Sequence, residues 1–330
     1  MFFKKCLSFI FILNVTASVY PQSPTETLNK LETALQSIKN SKGIEIGYIS
    51  NYIRELGEES LPILKRHAFS SNLEARRAVY SSLNTLRPSC EAVQDIIPQA
   101  LSDNDFDIKN SATVFVAYRR CDSYLSQLRQ MGIQETNPWL LRNIITALGE
   151  MGSSSDVSFL NALQNNAQQS NDIRLAAAGA LMSLGQDTYD KQLILNTLND
   201  PDWQKALQAC YVLRVAKDDS FKTVLENAAQ RGGDLADEAS ISLAAMNYNQ
   251  KSSFEKTNYL FQQLETGAFP VKNWATFQLL NKHDSSDVVN RLKQMAKSPN
   301  NTAAYVITSR LIEFKKMKPE EVDVSLYGGH

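Results

Sequence analysis

Histidine is nearly missing from this chain: there are three in 330 residues, His67, His283 and His330. None has a partner at metal-ligand spacing. Cysteine is scarce too, with four residues and no C-x-x-C pair. There is no HExxH, no glycine-rich phosphate loop and no nucleophile elbow. These absences predict a chain without a metal or other cofactor, and a non-enzyme. Charge of one sign is not in excess, with 34 basic against 35 acidic side chains. A nucleic-acid binder needs a basic excess or stripe, so no nucleic-acid partner is expected. Arg76-Arg77 and Arg119-Arg120 are isolated pairs that read as solvated faces or turn salt bridges. Asp103, Asp105 and Asp107 lack the following glycine and distal glutamate of a calcium loop, and read as a turn.

Long apolar runs are missing as well, apart from Cys6 to Val15. That run is shorter than the roughly 20 residues of a membrane span. Lys4 and Lys5 precede it and small residues follow, with Val15-Thr16-Ala17 or Thr16-Ala17-Ser18 as peptidase sites. Residues 1–18 therefore read as a secretory signal peptide. The expected location is the bacterial periplasm, or else outside the cell, with no integral membrane span after cleavage. Removal of residues 1–18 takes two lysines and no acid, leaving 32 basic against 35 acidic groups. Residues 19–26 read as a disordered linker and residues 319–330 as a C-terminal tail.

What is present is a repeat. Ile173, Ala177, Leu181 and Leu184 fall on one helical face. The same spacing fits Ala75, Val79, Leu83 and Leu86, then Leu140, Ile144, Leu148 and Met151, then Leu235, Ala239, Leu243 and Met246. It fits less closely at Ile108, Trp203 and Val271, with a half-copy at Ala303 and a degenerate first copy at Ile44. The anchors from Ala75 to Ala303 lie 30–36 residues apart. A second helical stretch follows each anchor by about 16 residues. Serine-rich turns such as Gly152-Ser153-Ser154-Ser155 start these second helices, and Asp202 starts a first helix after Pro201. A period of this size predicts an all-α chain, an α-α superhelix of about eight helix pairs over residues 27–318.

The segments LNDPDWQKALQAC (198–210), LSDNDFDIKNSA (101–112) and DIRLAAAGALMSLG (172–185) carry a family resemblance. They combine leucine, an acidic turn, a basic residue and an alanine-rich helix. The basic residue is Arg174, Lys109, Arg76 or Lys272, and it is lost at Gln204 and Ala236. The pattern resembles the HEAT repeat, an armadillo-like helical repeat, in the short bacterial form seen in phycobilisome-lyase HEAT-like repeats. The resemblance covers roughly residues 44–316. It implies a solenoid whose second helices line a concave surface. HEAT proteins holding a di-iron centre use repeated His-Glu pairs, which this chain lacks. The fold serves many roles, so function must come from the surface.

Three cysteines follow the signal segment. Cys210 sits within a first helix and reads as core. Cys90 and Cys121 each fall in the turn before a second helix of adjacent repeats, so a Cys90–Cys121 disulfide is expected in an oxidising compartment. Helix spacing of 8–10 Å against a Cα limit near 7 Å requires those turns to pinch together. The second helices are rich in amides. Asn161, Gln164, Asn196, Asn227, Asn258 and Gln262, with Tyr259, are candidate partner-binding residues, since amides donate and accept together. Trp139, Trp203 and Trp274 lie at or near anchor positions of first helices and read as core. The leading expectation is an exported scaffold that binds another protein through its concave face. A cell-wall peptide or glycan binder, and a lyase-like or cofactor-attachment accessory enzyme, are the alternatives. The sequence does not set the oligomeric state.

Overall fold

In the computed structural model, residues 23–40, 44–298, 301–314, 316–318 and 321–322 are described. The expected signal peptide and all but two residues of the expected tail lie outside them. Among the described residues there is no β-strand, so the chain is all-α. None of those helices is long and apolar enough to cross a membrane. The chain divides into two compact units, Met1–Phe115 and Val116–His330.

The first unit holds α1 (Pro24–Ser37), α2 (Ile44–Leu56), α3 (Leu61–His67), α4 (Leu73–Leu86), α5 (Ile97–Leu101) and the start of α6 (Phe106–Arg119). Helix α1 begins inside the expected linker. Ser23 caps it, its hydroxyl accepting from the Glu26 amide at 3.3 Å, and Pro24 occupies the first turn, where no N–H is needed. Asn72 caps α4 through the amides of Glu74 and Ala75, while its own amide donates to the Ile38 carbonyl at 2.9 Å. Ala75, Val79, Leu83 and Leu86 are buried as their spacing predicts. At α2 the frame is one residue late. Ile44 is 80% exposed, and Ile49, Ile53 and Leu56 form the buried face.

The second unit continues α6 and adds α7 (Leu125–Gln134), α8 (Pro138–Met151), α9 (Val157–Asn165), α10 (Asn171–Ser183), α11 (Lys191–Leu198) and α12 (Trp203–Leu213). It ends with α13 (Lys222–Ala229), α14 (Gly233–Asn249), α15 (Ser253–Thr266), α16 (Phe269–Lys282), α17 (Ser286–Ala296) and α18 (Ala304–Glu313). From α7 onward, each odd-numbered helix packs on the even-numbered helix that follows it. The even-numbered helices α8 to α18 also pack on one another in order.

Three contacts give the register of that stack. Gly149 faces Ala180, Gly179 faces Val212, and the Ser242 hydroxyl donates to the Cys210 carbonyl at 2.7 Å. Their sequence separations of 31, 33 and 32 residues equal one repeat. At these contacts α8, α10, α12 and α14 meet their neighbours one repeat apart. Each is pressed between two seams. In α10, Ile173, Ala177 and Leu181 enter one buried cluster while Leu175, Ala178 and Met182 enter the next. That double burial is why α10 needs alanine and glycine in place of a polar face.

Two expectations about this unit change. The frame at Trp203 is one residue out: Ala206, Cys210 and Leu213 are buried, which places Asp202 at the anchor. Asp202 is the N-cap, accepting from the Gln204 amide at 3.0 Å, so the turn at Pro201 starts the helix early. Trp139 and Trp203 are then 61% and 42% exposed, not core. Trp139 instead lies under the Arg142 guanidinium, 4.5 Å from its ring centre. Only Trp274 is buried among the three, packed edge-on against Tyr248 at 5.9 Å.

Candidate functional site

The expected amide set separates into three kinds of position. Asn196, Asn227, Asn258 and Gln262 are exposed on α11, α13 and α15. They face away from Ile194 and Leu198, from Leu225 and Ala228, and from Leu260 and Leu264, which bury the opposite sides of the same helices. Asn161 on α9 is half-buried. Gln164 is buried and already engaged: its Nε2 donates to the Thr188 carbonyl at 3.0 Å and its Oε1 accepts from the Asp190 amide at 2.7 Å. Gln164 is a clasp on the loop before α11, so it leaves the partner-binding set. Tyr259 is half-buried, and its hydroxyl donates to the Ala244 carbonyl at 3.1 Å. Burial raises its pKa against a hydrogen bond with Asn247.

Cys90 and Cys121 are each disulfide-bonded, and Cys210 is a free, buried thiol. Burial pushes the Cys210 thiol up to about 12, so it is no thiolate nucleophile. Each bonded cysteine precedes a short 3-10 turn. Arg87 and Arg120, just upstream, both adopt the left-handed conformation, with φ of 55° and 53°. The two turns differ in detail, since Arg87 lies three residues before Cys90 and Arg120 immediately before Cys121.

Sequence reasoning missed a polar cluster at the end of α16. The His283 ring meets the Tyr248 hydroxyl through Nε2 at 2.9 Å and the Thr257 hydroxyl through Nδ1 at 3.2 Å. Lys256 places its ammonium 5.0 Å from the centre of the Tyr248 ring. Desolvation, then Lys256 and Lys282, hold His283 below its ordinary pKa. A neutral imidazole with two hydroxyl partners and flanking cations does not have the electrostatics of a Ser-His-Asp triad, where a carboxylate steadies the imidazolium. Lys282 is itself held below the usual lysine range. Desolvation is the largest cause, Arg120 and Lys256 add to it, and Glu150 opposes it. No signal in the sequence points here, because Tyr248, Thr257 and His283 belong to three different helices or their ends.

His67 forms a second polar contact away from that cluster. It is buried and its Nε2 lies 2.9 Å from Glu32, which also takes the Arg66 guanidinium at 2.5 Å. Burial works to raise the Glu32 pKa, but hydrogen bonds from His67 and Arg66 outweigh it and hold the carboxyl low. Among the described residues, no three His, Cys, Asp or Glu side chains group closely enough to hold a metal ion. No protein-family model matches the chain, and neither does any curated protein.

Proposed function

We propose that the chain is an exported scaffold, a HEAT-like α-solenoid that binds another protein and assists its assembly or positioning in the cell envelope. The observation carrying this reading is the sequential packing of α8 to α18 on one another, with contacts one repeat apart from α8 to α14. Such packing leaves the outer sides of the odd-numbered helices without an intramolecular duty. Those sides present Asn196, Asn227, Asn258 and Gln262, neutral groups that can match the backbone or amides of a protein partner. The oxidised state of Cys90 and Cys121 supports an oxidising compartment. Periplasmic fractionation with N-terminal sequencing tests the export step, and the mature chain is expected to begin at Ser18 or Val19. Affinity capture then tests the binding face. Wild-type chain is expected to retain one stoichiometric protein, and the Asn196→Arg, Asn227→Arg, Asn258→Arg triple variant is expected to lose it. Retention on purified peptidoglycan with no protein partner would reject this reading.

A further inference from the structure

We propose that a cleft in the second unit, where the ends of α15 and α17 meet the turn before α18, binds the carboxylate of an amino acid or short peptide. Thr302 holds that carboxylate, with the buried Lys272 behind it. The proposal goes beyond the scaffold reading and does not rest on it.

At two other repeats the matching basic residue finds an acid. Arg76 of α4 reaches Asp103 at 3.4 Å, and Arg174 of α10 reaches Asp190 at 3.5 Å. Lys272, at the corresponding place on α16, meets a hydroxyl instead: its Nζ donates to Thr302 Oγ1. Lys272 is only 7% exposed. Among the described residues, no carboxylate lies within ion-pair distance of it. A lysine ammonium carries three donors, and a buried charge without a counter-charge is costly. This repeat lacks the acid that Arg76 and Arg174 have.

Thr302 also lines an open cleft of about 510 Å³, together with Glu265, Gln294, Met295, Ser298 and Asn301. Small-molecule sites occupy roughly 300–1,000 Å³. Asn301 is fixed in the wall, its Nδ2 donating to the Met295 carbonyl at 3.1 Å and its Oδ1 accepting from the Ala303 amide at 2.9 Å. The Thr302 oxygen accepts from Lys272, so its own proton is left to donate, strengthened by the positive charge behind it. Among the described residues, the Ser298 hydroxyl and the Gln294 amide make no side-chain hydrogen bond. Three donors therefore line the cleft, one of them backed by a buried cation. A carboxylate accepts from several donors and brings the missing counter-charge. Glu265 sets the rest of the ligand. Arg291 approaches it only to 3.9 Å, so this carboxyl favours a ligand with an amine beside its acid and disfavours a doubly charged phosphate.

Isothermal titration calorimetry on the full chain tests the site with dialanine, its C-terminal amide, its N-acetyl derivative and free alanine. Dialanine is expected to bind, and the amide to bind at least about tenfold more weakly, because a charge-assisted bond is lost. The N-acetyl derivative, without the amine, is also expected to bind more weakly than dialanine. Alanine binding as tightly as dialanine points to a free amino acid as the natural ligand, and weaker binding points to a peptide; either supports the carboxylate chemistry. Lys272→Met removes a buried charge that has no counter-charge, so it is expected to keep a Tm at or above wild type and to bind dialanine and its amide alike. Thr302→Val, at an exposed position, is expected to lose the same preference. No binding of dialanine, equal binding of dialanine and either derivative, or a preference for the acid that survives in both variants, would overturn the proposal.

Discussion

The most tightly placed charge in the second unit is Asp156. It is buried, takes Arg129 Nε at 2.5 Å and Nη2 at 3.0 Å, and accepts from the Ser153 amide at 2.8 Å. Burial acts to raise its pKa, but Arg129 and the Ser153 amide outweigh it, so the carboxyl lies below its usual range. Removal of one partner leaves a buried charge without compensation. Arg129→Ala is expected to cost about 3 kcal/mol, read as a lower urea midpoint at unchanged slope. The pH dependence follows the same groups. Asp156, Asp105 and Glu32 are depressed, and Asp218 lies at about 2, where its bonds to Ser220 and Lys191 overcome desolvation. A depressed carboxyl adds stability above its unfolded pKa, near 4, and loses it as pH falls through the folded value. Glu238, raised by burial, contributes in the opposite sense. Stability is expected to hold from neutral pH to about pH 5 and to fall steeply from about pH 4 to pH 2. A flat melting temperature across that lower interval would refute the assignment. At this scale the sequence was only partly legible. Ser153 could be read as part of a cap, but Arg129 lies too far away in sequence to be read as the partner of Asp156.

At the scale of the element, the seams were legible wherever large apolar residues repeat on one face. The α4, α8, α10 and α14 faces lie as their spacing predicts. The frame slipped at α2 and α12, because an exposed Ile44 and an exposed Trp203 at the first turn resemble buried anchors in a one-dimensional pattern. Hydrophobicity alone does not distinguish a first-turn residue facing water from the seam residue beside it. The small residues carry a sharper test. A Cβ on Gly149 would lie 2.7 Å from Ala180 Cα, against backbone that has no room to yield. On Gly179 it would meet Val212 Cγ1 at 3.0 Å, a side chain that can turn. Gly149→Ala is expected to destabilise by about 1–3 kcal/mol through overpacking. Gly179→Ala is expected to cost less. Equal or reversed losses in denaturant melts would contradict the register of α8 on α10 and of α10 on α12.

At the scale of the whole molecule, the repeat was legible but its use was not. A period near 32 residues dictates stacked helix pairs, yet the outward amides it does not require lie on three different helices, α11, α13 and α15. The oxidised cysteines give one global prediction. Non-reducing peptide mapping of exported protein is expected to recover residues 90 and 121 in one linked peptide. Reduction is then expected to lower stability by about 3 kcal/mol. Both thiols free in that material would reject the pairing. The role as a binding scaffold is tested most directly by site-specific photo-cross-linking in the intact cell envelope, from probes placed at Asn196, Asn227 and Asn258. One stoichiometric protein, captured from all three probes and missed by a probe at Glu226 after the Asn→Arg triple change, is the predicted result. No captured protein, or capture that ignores probe position and the triple change, would contradict it.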